Sequence, residues 1–525
     1  MKKIFAIAAM MVATLPLAAQ ETYENAKIAA EDLNGTARYV GMGGAMEALG
    51  ADISTISTNP AGIGLFRKSN VSLSFGLVSQ ADATSVLNGN KTNASFDQIG
   101  FVYSTRTNKT SYLNLAFNFH KSRNFDMILS AAAPLQNASQ SKLTYAKARN
   151  ELLYVTRTLD DGTIVPDYNS PYASCNQLDD IYCQELNFYQ NAYFNASEYD
   201  FNRVHKGYIG EYDFNISGNI NNRVYLGLTV GIHDVHYKHY SEYNEILTEM
   251  VRLGERESLN EPIKVCDSRE ITGTGFDIKA GIIVRPVEES PFRIGLSVAS
   301  PTFYELRTKN TTTIGDVNET FSTDNGVSYK FKLYTPWKFG VSLGHTIGTQ
   351  VALGASYEYA DYGSMDTRTI TGEYYDYWRD SYSTESKSDK VMNEHTERWL
   401  KGVHTLKLGA EYKPAKDVAL RIGYNYVSPM YQKDGFKDGS LDSWGSYYSS
   451  ATDYTNWEDT HRFTLGAGYT YEKFNISLAY QYSTTKGKFY PFMSYSNDGQ
   501  YNNIAEGVNV KNNRHQLLLT LGYTF

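Results

Sequence analysis

The stretch Tyr112–Asp126, which reads YLNLAFNFHKSRNFD, decides the fold class of this chain. Apolar residues stand at every second position, with polar or small residues between them: Leu113, Leu115, Phe117 and Phe119 alternate with Asn114, Ala116, Asn118 and His120. Successive side chains of a β-strand point to opposite faces of the sheet. A period of two therefore predicts a strand with one apolar and one polar face.

The same period recurs in fourteen segments between Val71 and Phe525. Six of the links between segments are a few residues long, the other seven are long, and the two kinds alternate strictly. Short turns at one rim and long loops at the other are typical of outer-membrane barrels, and an even strand number lets the sheet close without exposed edges. We therefore predict an all-β fold, a 14-stranded antiparallel transmembrane β-barrel that ends on Phe525.

The first residues predict export. Lys2 and Lys3 precede an apolar run, Ile4–Leu17, and the small residues Ala18 and Ala19 follow it. This run is too short for a membrane-spanning helix and has the layout of a cleaved signal peptide. The predicted domains are a signal peptide at 1–19, an N-terminal plug, or hatch, at 20–69 and the barrel at 70–525.

The plug prediction rests on Gly35–Phe66, a glycine- and alanine-rich stretch without strand alternation. A barrel of about eight strands is filled by its own side chains, whereas about 16–18 strands leave an aqueous channel. An intermediate barrel needs an occupant for its bore, and short side chains let a backbone approach a polar wall closely. The alternative, a floppy periplasmic tail, would be more charged and poorer in Ala, Ile and Met.

Composition and spacing exclude several function classes. A net charge of −8 argues against a nucleic-acid partner, which needs a basic face. Gly340–Gly344 is spelled like a nucleophile elbow but lies within a predicted strand. His233, His236 and His239 are three positions apart, so neighbours in this series point to opposite faces of a strand. We therefore predict no enzyme, no metal and no cofactor.

Long polar loops are predicted at three places, 135–204, 241–270 and 361–399. The first contains Cys175 and Cys183, a candidate disulfide after export, and Cys266 in the second is the competing partner. Aromatic residues are common in these loops. They form either a landing surface for an apolar substrate or an ordinary interfacial belt.

Alternation also places charged side chains in the lumen, among them Lys407 and Arg421 on adjacent strands. These cations are candidate contacts for a ligand carboxylate, because a buried carboxylate without a partner is costly. The alternative is that lumenal charges pair with one another, for example Lys407 with Glu411 or Arg421 with Asp52.

Several blocks carry a family resemblance. GMGGA at Gly41–Ala45 and the motif at Asn59–Gly62 resemble the hatch of the long-chain fatty acid transporters of the FadL/TodX family. Later blocks agree in order and spacing, including Thr335-Pro336-Trp337. The hatch residues that this resemblance implies are Gly41, Gly43, Gly44, Asp52, Asn59, Pro60, Ala61 and Gly62.

The resemblance implies passive uptake of long-chain fatty acids or similar hydrophobic molecules. Such a protein would capture substrate among its outer loops, bind it in the lumen and release it sideways near a kinked third strand. In the third segment here, Lys121 and Arg123 interrupt the apolar face. We interpret them as marking the level of the outer lipid headgroups, with a local distortion of the strand as the alternative.

The expected location is the cell outer membrane, and the expected partners are outer-membrane lipid and a hydrophobic small molecule. Two other functions stay open. One is a non-transporting barrel that serves as a partner platform in protein secretion or surface attachment, and the other is a haem receptor. The platform needs a protein partner, which no feature of the sequence identifies.

Overall fold

The structure is a computed structural model that describes residues 21–149, 156–158, 164–166, 192–315, 320–322, 327–376, 381–439, 441, 443, 451–495 and 502–525. The predicted signal peptide and the candidate disulfide of Cys175 and Cys183 lie outside these residues. Cys266 forms no disulfide with another described residue.

Strands make up most of the described chain. In chain order they are β1 (Asn70–Gln80), β2 (Thr92–Arg106), β3 (Tyr112–Asn124), β4 (Met127–Ala138), β5 (Thr156–Thr158), β6 (Ile164–Pro166), β7 (Ala192–Ile220), β8 (Val224–Arg252), β9 (Glu255–Val284), β10 (Arg293–Ala299), β11 (Phe303–Gly315), β12 (Thr320–Ser322), β13 (Val327–Tyr334), β14 (Lys338–Ile347), β15 (Val351–Asp361), β16 (Asp366–Asp376), β17 (Ser381–Ser388), β18 (Gly402–Ala415), β19 (Val418–Val427), β20 (Tyr454–Tyr471), β21 (Phe474–Tyr490) and β22 (Val508–Thr524). The α-helices are α1 (Thr22–Ala29), α2 (Ala37–Gly41), α3 (Leu143–Arg149) and α4 (Lys390–Trp399), and 3-10 helices occupy Ile53–Ser57, Pro60–Leu65, Gln140–Lys142 and Tyr362–Ser364.

Fourteen of the described strands form a closed antiparallel ring. Its order is β1, β2, β3, β7, β8, β9, β10, β14, β15, β18, β19, β20, β21 and β22. The last strand pairs with the first in unbroken register, from Asn70↔Thr524 to Gln80↔Arg514. This closure confirms the predicted 14-stranded barrel.

The ring is apolar outside and polar inside. On β3, Leu115 is 47% exposed whereas Asn118 on the opposite face is fully buried. Each ring strand exposes at least one large apolar side chain in the same way. An apolar outer band around a polar interior is the surface of a transmembrane β-barrel. None of the helices in the described residues has the length and apolar character needed to cross a membrane.

The wall is tallest at β7, β8 and β9, which are 29, 29 and 30 residues long. The prediction of a long loop at 241–270 is therefore wrong. β8 and β9 stay paired from Val224↔Val284 to Arg252↔Glu255, and Leu253 and Gly254 form the turn. The exposed face of this stretch carries polar and charged side chains such as Lys238 and Lys264, so apolar alternation no longer marks the strands.

The other two predicted loops also contain regular structure. Within 135–204, β4 continues to Ala138, α3 follows, and β7 begins at Ala192. Within 361–399, β16 and β17 form a hairpin and α4 follows it. The end of the barrel that carries these elements is the long-loop rim, and the opposite end is the short-turn rim.

Candidate functional site

The N-terminal segment, residues 21–66, lies along the polar inner face of the ring. Its first element, α1, lies at the long-loop rim, where Thr22 Oγ1 is 2.8 Å from Thr396 Oγ1 and 2.9 Å from His395 Nδ1 of α4. At the other end of the segment, the 3-10 helix Pro60–Leu65 contacts β7, β8 and β9. The segment therefore runs down the inside of the wall from one rim towards the other.

The eight predicted hatch residues all lie in this segment, and all are buried. Two of them cap its 3-10 helices. Asp52 Oδ1 accepts from Ser54 N at 3.0 Å, and Asn59 Oδ1 accepts from Ala61 N at 3.2 Å. Pro60 occupies the first position of the second 3-10 helix, where a residue without an N–H leaves no bond unmade.

Gly43 shows why this stretch is rich in glycine. Its φ is +63°, in the left-handed region that favours glycine. A Cβ at this position would lie 2.8 Å from Tyr424 N and 3.0 Å from Leu408 O, which are backbone atoms of β19 and β18. The segment thus approaches the wall backbone to backbone, and a side chain there would force the two apart.

The two predicted ligand cations already have carboxylate partners. Lys407 Nζ lies 2.7 Å from Glu47 Oε1 of the N-terminal segment and 3.6 Å from Glu358 Oε2. Arg421 Nε lies 2.7 Å from Glu411 Oε2. The structure therefore shows internal pairing of both cations, although with partners other than those suggested by the sequence. A ligand carboxylate at either cation would compete with these acids.

A buried charged cluster joins β7, β8 and β9. Lys279 Nζ donates to Glu211 Oε1 at 2.7 Å, to Asp213 Oδ1 at 3.2 Å and to Asp277 Oδ1 at 2.7 Å. His233 adds a hydrogen bond to Asp277 Oδ2 at 2.9 Å. Although these side chains and His120 present ligand atoms at metal-binding spacing, the ammonium of Lys279 already contacts all three acids. The absence of a metal stays a prediction.

An interior cavity of about 270 Å³ lies between the N-terminal segment and the wall. Part of its lining is apolar, with Phe125, Val403, Val427, Met430 and Trp457. The rest is polar or charged, and this polar part includes three arginines.

These arginines, the arginine cluster, are Arg123 of β3, Arg462 of β20 and Arg514 of β22. All three point at one carboxylate, that of Asp32 in the N-terminal segment. Arg123 Nη1 lies 3.0 Å from Asp32 Oδ1, Arg462 Nη2 lies 3.8 Å from the same oxygen, and Arg514 Nη1 lies 4.0 Å from Asp32 Oδ2. Asn124 N also donates to Asp32 Oδ2 at 2.9 Å.

The barrel wall is interrupted beside this cluster. The ladder between β2 and β3 ends at Gln98↔His120, while the outer part of β2 remains paired with β1 alone. β3 has a register irregularity between Lys121 and Arg123 and stays with β7. The opening between β2 and β3 beyond Gln98↔His120 is the wall gap.

Asn34 of the N-terminal segment bridges the wall gap. Its Nδ2 donates to Asp97 Oδ1 of β2 at 3.0 Å and to Lys121 O of β3 at 3.1 Å. Its Oδ1 accepts from Gln516 Nε2 of β22 at 3.2 Å. One side chain thus joins the two separated strands to the closing strand of the ring.

Further towards the long-loop rim, a glutamine replaces the missing strand pairing. Gln80, at the end of β1, donates from Nε2 to Ile128 O of β4 at 2.8 Å and accepts from Ile128 N at 2.8 Å. These two bonds imitate a backbone pair and satisfy β4, which would otherwise present unpaired polar groups.

Comparisons with known proteins give a likeness of overall structure. No protein-family model matches the chain, and no curated protein sequence matches it. A Pseudomonas aeruginosa FadL homologue aligns over 98% of this chain and 100% of its own, with 13% identity and a TM-score of 0.48.

Two toluene transporters align in the same way. TbuX of Ralstonia pickettii has 12% identity and TodX of P. putida 11%, each with a TM-score of 0.45 over 94% of this chain and 99% of its own. Sequence identities and TM-scores this low do not transfer a function, so the function has to be inferred from the contacts of this chain.

Sequence reasoning missed Asp32, Asn34 and Arg514, and it misplaced Arg123. The interpretation of Lys121 and Arg123 as a headgroup marker is corrected, because Arg123 lines the cavity and the strand is distorted there. A β-bulge changes the face to which the following residue points. The signal available in the sequence was the break in alternation itself, together with Asn124, Phe125 and Asp126 after it.

Proposed function

We propose that this protein is an outer-membrane channel for passive uptake of hydrophobic small molecules, with long-chain fatty acids as the expected substrates. Substrate enters among the loops at the long-loop rim and binds in the interior cavity. It then leaves sideways through the wall gap into the bilayer. The N-terminal segment acts as the plug of the bore, so that polar solutes do not pass.

The wall gap beside the cavity is the observation that carries this proposal. An unbroken ladder of hydrogen bonds would leave a lumenal substrate only the two ends of the barrel as exits. A route through the wall leads from the cavity directly to lipid. An apolar substrate on this route avoids returning to water, which would cost about 25 cal/mol per Å² of its apolar surface.

The lining of the cavity supports an amphiphilic substrate. Val403, Val427 and Met430 offer an apolar surface to a hydrocarbon chain, and the arginine cluster lies at the polar side. Pockets that bind small molecules commonly combine an apolar lining with a few polar groups that fix orientation.

The test is an uptake assay on Asn34→Ala. In the closed state Asn34 holds the wall gap with three hydrogen bonds, and each such bond contributes about 0.5–1.5 kcal/mol. Their loss favours the open gap, so we expect uptake of a radiolabelled long-chain fatty acid to rise roughly tenfold in cells that lack other uptake routes.

Asn219→Ala is the matched control. Asn219 is also buried and donates to the N-terminal segment, to Gly64 O at 3.4 Å, but near the short-turn rim rather than at the wall gap. Its uptake should equal that of the wild type. If wild-type cells take up no more than cells without the protein, the channel function is wrong and the platform function gains.

A further inference from the structure

Three inward-facing residues form a row across neighbouring strands of the wall. His120 of β3 is paired with Glu211 of β7, and Glu211 is paired with His233 of β8. Paired residues of an antiparallel sheet place their side chains next to each other on the same face. The carboxylate of Glu211 therefore stands between two imidazoles, and all three side chains are buried.

The ammonium of Lys279 contacts one oxygen of each neighbouring acid on β7. It donates to Glu211 Oε1 and Asp213 Oδ1, which leaves the second oxygen of each acid for other partners. Asp213 Oδ2 is buried and has no hydrogen-bond partner among the described residues. His233 Nδ1 is likewise buried, without a hydrogen-bond partner in the part of the chain that the structure describes. Unpaired buried polar atoms are rare and require an explanation.

These atoms face one another at distances that suit the ligands of one metal ion. His120 Nε2 lies 3.6 Å from Glu211 Oε2, and His120 Nδ1 lies 3.7 Å from Asp213 Oδ2. One ligand atom from each of these three residues lies within 4.8 Å of the others. Two atoms that bind one ion at about 2.0–2.2 Å are at most about 4.4 Å apart, so small side-chain rotations bring the three atoms onto one ion.

The charge of this group of side chains also requires a partner. Glu211, Asp213 and Asp277 contribute three carboxylates. The one lysine or arginine among the described residues within 4.0 Å of them is Lys279. With neutral imidazoles, two negative charges are left without a counter-charge in a buried place, which is costly. A divalent cation neutralises both.

Protonated imidazoles would supply the same charge, but they do not fit the distances. An imidazolium donates from both ring nitrogens. Glu211 Oε2 is 3.9 Å from His233 Nδ1, and the two contacts of His120 with acids are 3.6 and 3.7 Å long, all beyond the length of a hydrogen bond. Asn118 Nδ2, itself a donor, also lies 3.5 Å from His120 Nδ1. A bound cation therefore accounts for the arrangement better than two additional protons.

We propose that His120, Glu211 and Asp213 bind a divalent transition-metal cation such as Zn²⁺. Imidazole nitrogen together with carboxylate oxygen is a donor set for Zn²⁺ and similar ions, whereas Mg²⁺ and Ca²⁺ prefer oxygen alone. His233 brings a second imidazole nitrogen to 3.9 Å from Glu211 Oε2, and its Nε2 donates to Asp277 Oδ2 at 2.9 Å. Histidines at metal sites are commonly oriented by a carboxylate in this way.

This site differs from the one that the sequence excluded. That prediction concerned His233, His236 and His239, which follow one another along a single strand and alternate between its faces. The three ligands of the proposed site come from β3 and β7, and the spacing of residues along one strand does not show which residues of another strand lie beside it.

The position of the site indicates a structural role for the ion. His120 forms the last pair of the β2–β3 ladder, with Gln98. His120 and Glu211 both line the interior cavity, which gives an ion a route from the lumen. A cation bound to both residues ties β3 to β7 at the edge of the wall gap. The role does not depend on the channel function.

The test measures zinc binding by full-length protein in detergent, produced without a polyhistidine tag and freed of metal with EDTA. After equilibration with Zn²⁺ and desalting, wild type should retain a single equivalent of zinc. Asp213→Asn keeps the shape of the side chain and an oxygen for Lys279, and it should weaken zinc binding roughly tenfold or more. His236→Phe is the matched control, because His236 pairs with Asp234 at 2.8 Å but is exposed on the outside of β8. Its zinc binding should equal that of wild type.

Co²⁺ provides a second readout, because its visible absorption depends on the atoms that bind the ion. The absorption of a Co²⁺ site with a nitrogen ligand should appear in wild type and in His236→Phe and be absent in His120→Phe. Each variant is first shown to be a folded barrel by its heat-dependent shift in gel mobility.

Four results would overturn the site. In the first, wild type retains no zinc, and in the second, Asp213→Asn binds zinc with wild-type affinity. In the third, His236→Phe loses as much affinity as Asp213→Asn, which places the metal on the surface. In the fourth, an equal concentration of Mg²⁺ displaces the zinc, so that only charge is recognised. All four leave the proposed channel function standing, since uptake is measured separately.

Discussion

The wall at β7–β8–β9 and the wall at β2–β3 are built from similar alternating sequence, yet they differ in continuity. β7 and β8 stay paired along nearly their whole length, with small irregularities near Ala196. The β2–β3 ladder runs only from Arg106↔Tyr112 to Gln98↔His120. In the first region backbone bonds hold the wall, whereas in the second the side chains of Asn34, Gln80 and Lys121 do; Lys121 Nζ donates to Ser95 Oγ of β2 at 2.9 Å. One wall is therefore held by continuous backbone pairing, and the other is held in part by side chains.

The largest expected effect is a loss of stability from a substitution in the wall at β7–β8–β9. Lys279→Met would leave Glu211, Asp213 and Asp277 buried together without their cation. Breaking a buried ion pair by removing one partner costs about 3–5 kcal/mol. We expect a loss of that size in the free energy of unfolding, measured by denaturant titration with gel-shift detection of the folded barrel.

Lys264→Met serves as the control for that change. Lys264 pairs with Glu242 at 2.9 Å on the outside of the wall, where its side chain is 49% exposed. Exposed pairs contribute about 0–1 kcal/mol. A similar loss of unfolding free energy in the two variants would show that the buried cluster does not stabilise the wall at β7–β8–β9.

An intermediate effect is expected in the wall at β2–β3. Gln80→Leu removes both hydrogen bonds to Ile128, each worth about 0.5–1.5 kcal/mol. Amide hydrogen exchange should accelerate in β4 and stay unchanged in the β7–β8 ladder. Gln481→Leu is the matched control, because Gln481 bonds another side chain, Gln516, across strands that remain paired by their backbones.

If amide hydrogen exchange in β4 is unchanged in Gln80→Leu, side-chain hydrogen bonds do not stabilise this part of the wall, and the contrast with the wall at β7–β8–β9 is wrong. Acceleration in both variants would instead indicate a general loss of barrel stability.

The smallest expected effect is a change in permeability from a substitution in the N-terminal segment. Pro60→Ala removes the fixed φ at the start of the second 3-10 helix, which costs about 0.4–1 kcal/mol through the conformational entropy of the undocked chain. Liposome swelling should detect a small leak of polar solutes. Pro414→Ala, at an exposed position of β18, should leave permeability unchanged, and equal permeability of the two variants argues against a plug.

Alternation was enough to predict the ring, because in-out periodicity is a property of each strand alone. It predicted the inward direction of Lys407 and Arg421 but not their partners, since Glu47 lies 360 positions from Lys407 along the chain. Pairing across a lumen depends on how the strands close and on what fills the bore. The periodicity of a single strand indicates neither the closure of the ring nor the segment that fills the bore.

Two other features escaped prediction for physical reasons. The outer part of the β8–β9 hairpin exposes mainly polar and charged side chains, so its strands lack the apolar outer face that identifies a membrane strand. At Lys121 to Arg123 the irregular register turns Arg123 towards Asp32, and a sequence that is assumed to alternate throughout places it on the wrong face.

The position of the N-terminal segment has a consequence for biogenesis. The segment leads directly into β1, and the ring closes only when β22 pairs with β1. Thr520 Oγ1 of β22 accepts from Ala37 N at 2.7 Å, so the strand that closes the ring contacts the segment that precedes β1 in the chain. Because the segment contacts one of the two seam strands from inside the ring, we expect its enclosure to be coupled to sealing of the β22–β1 seam.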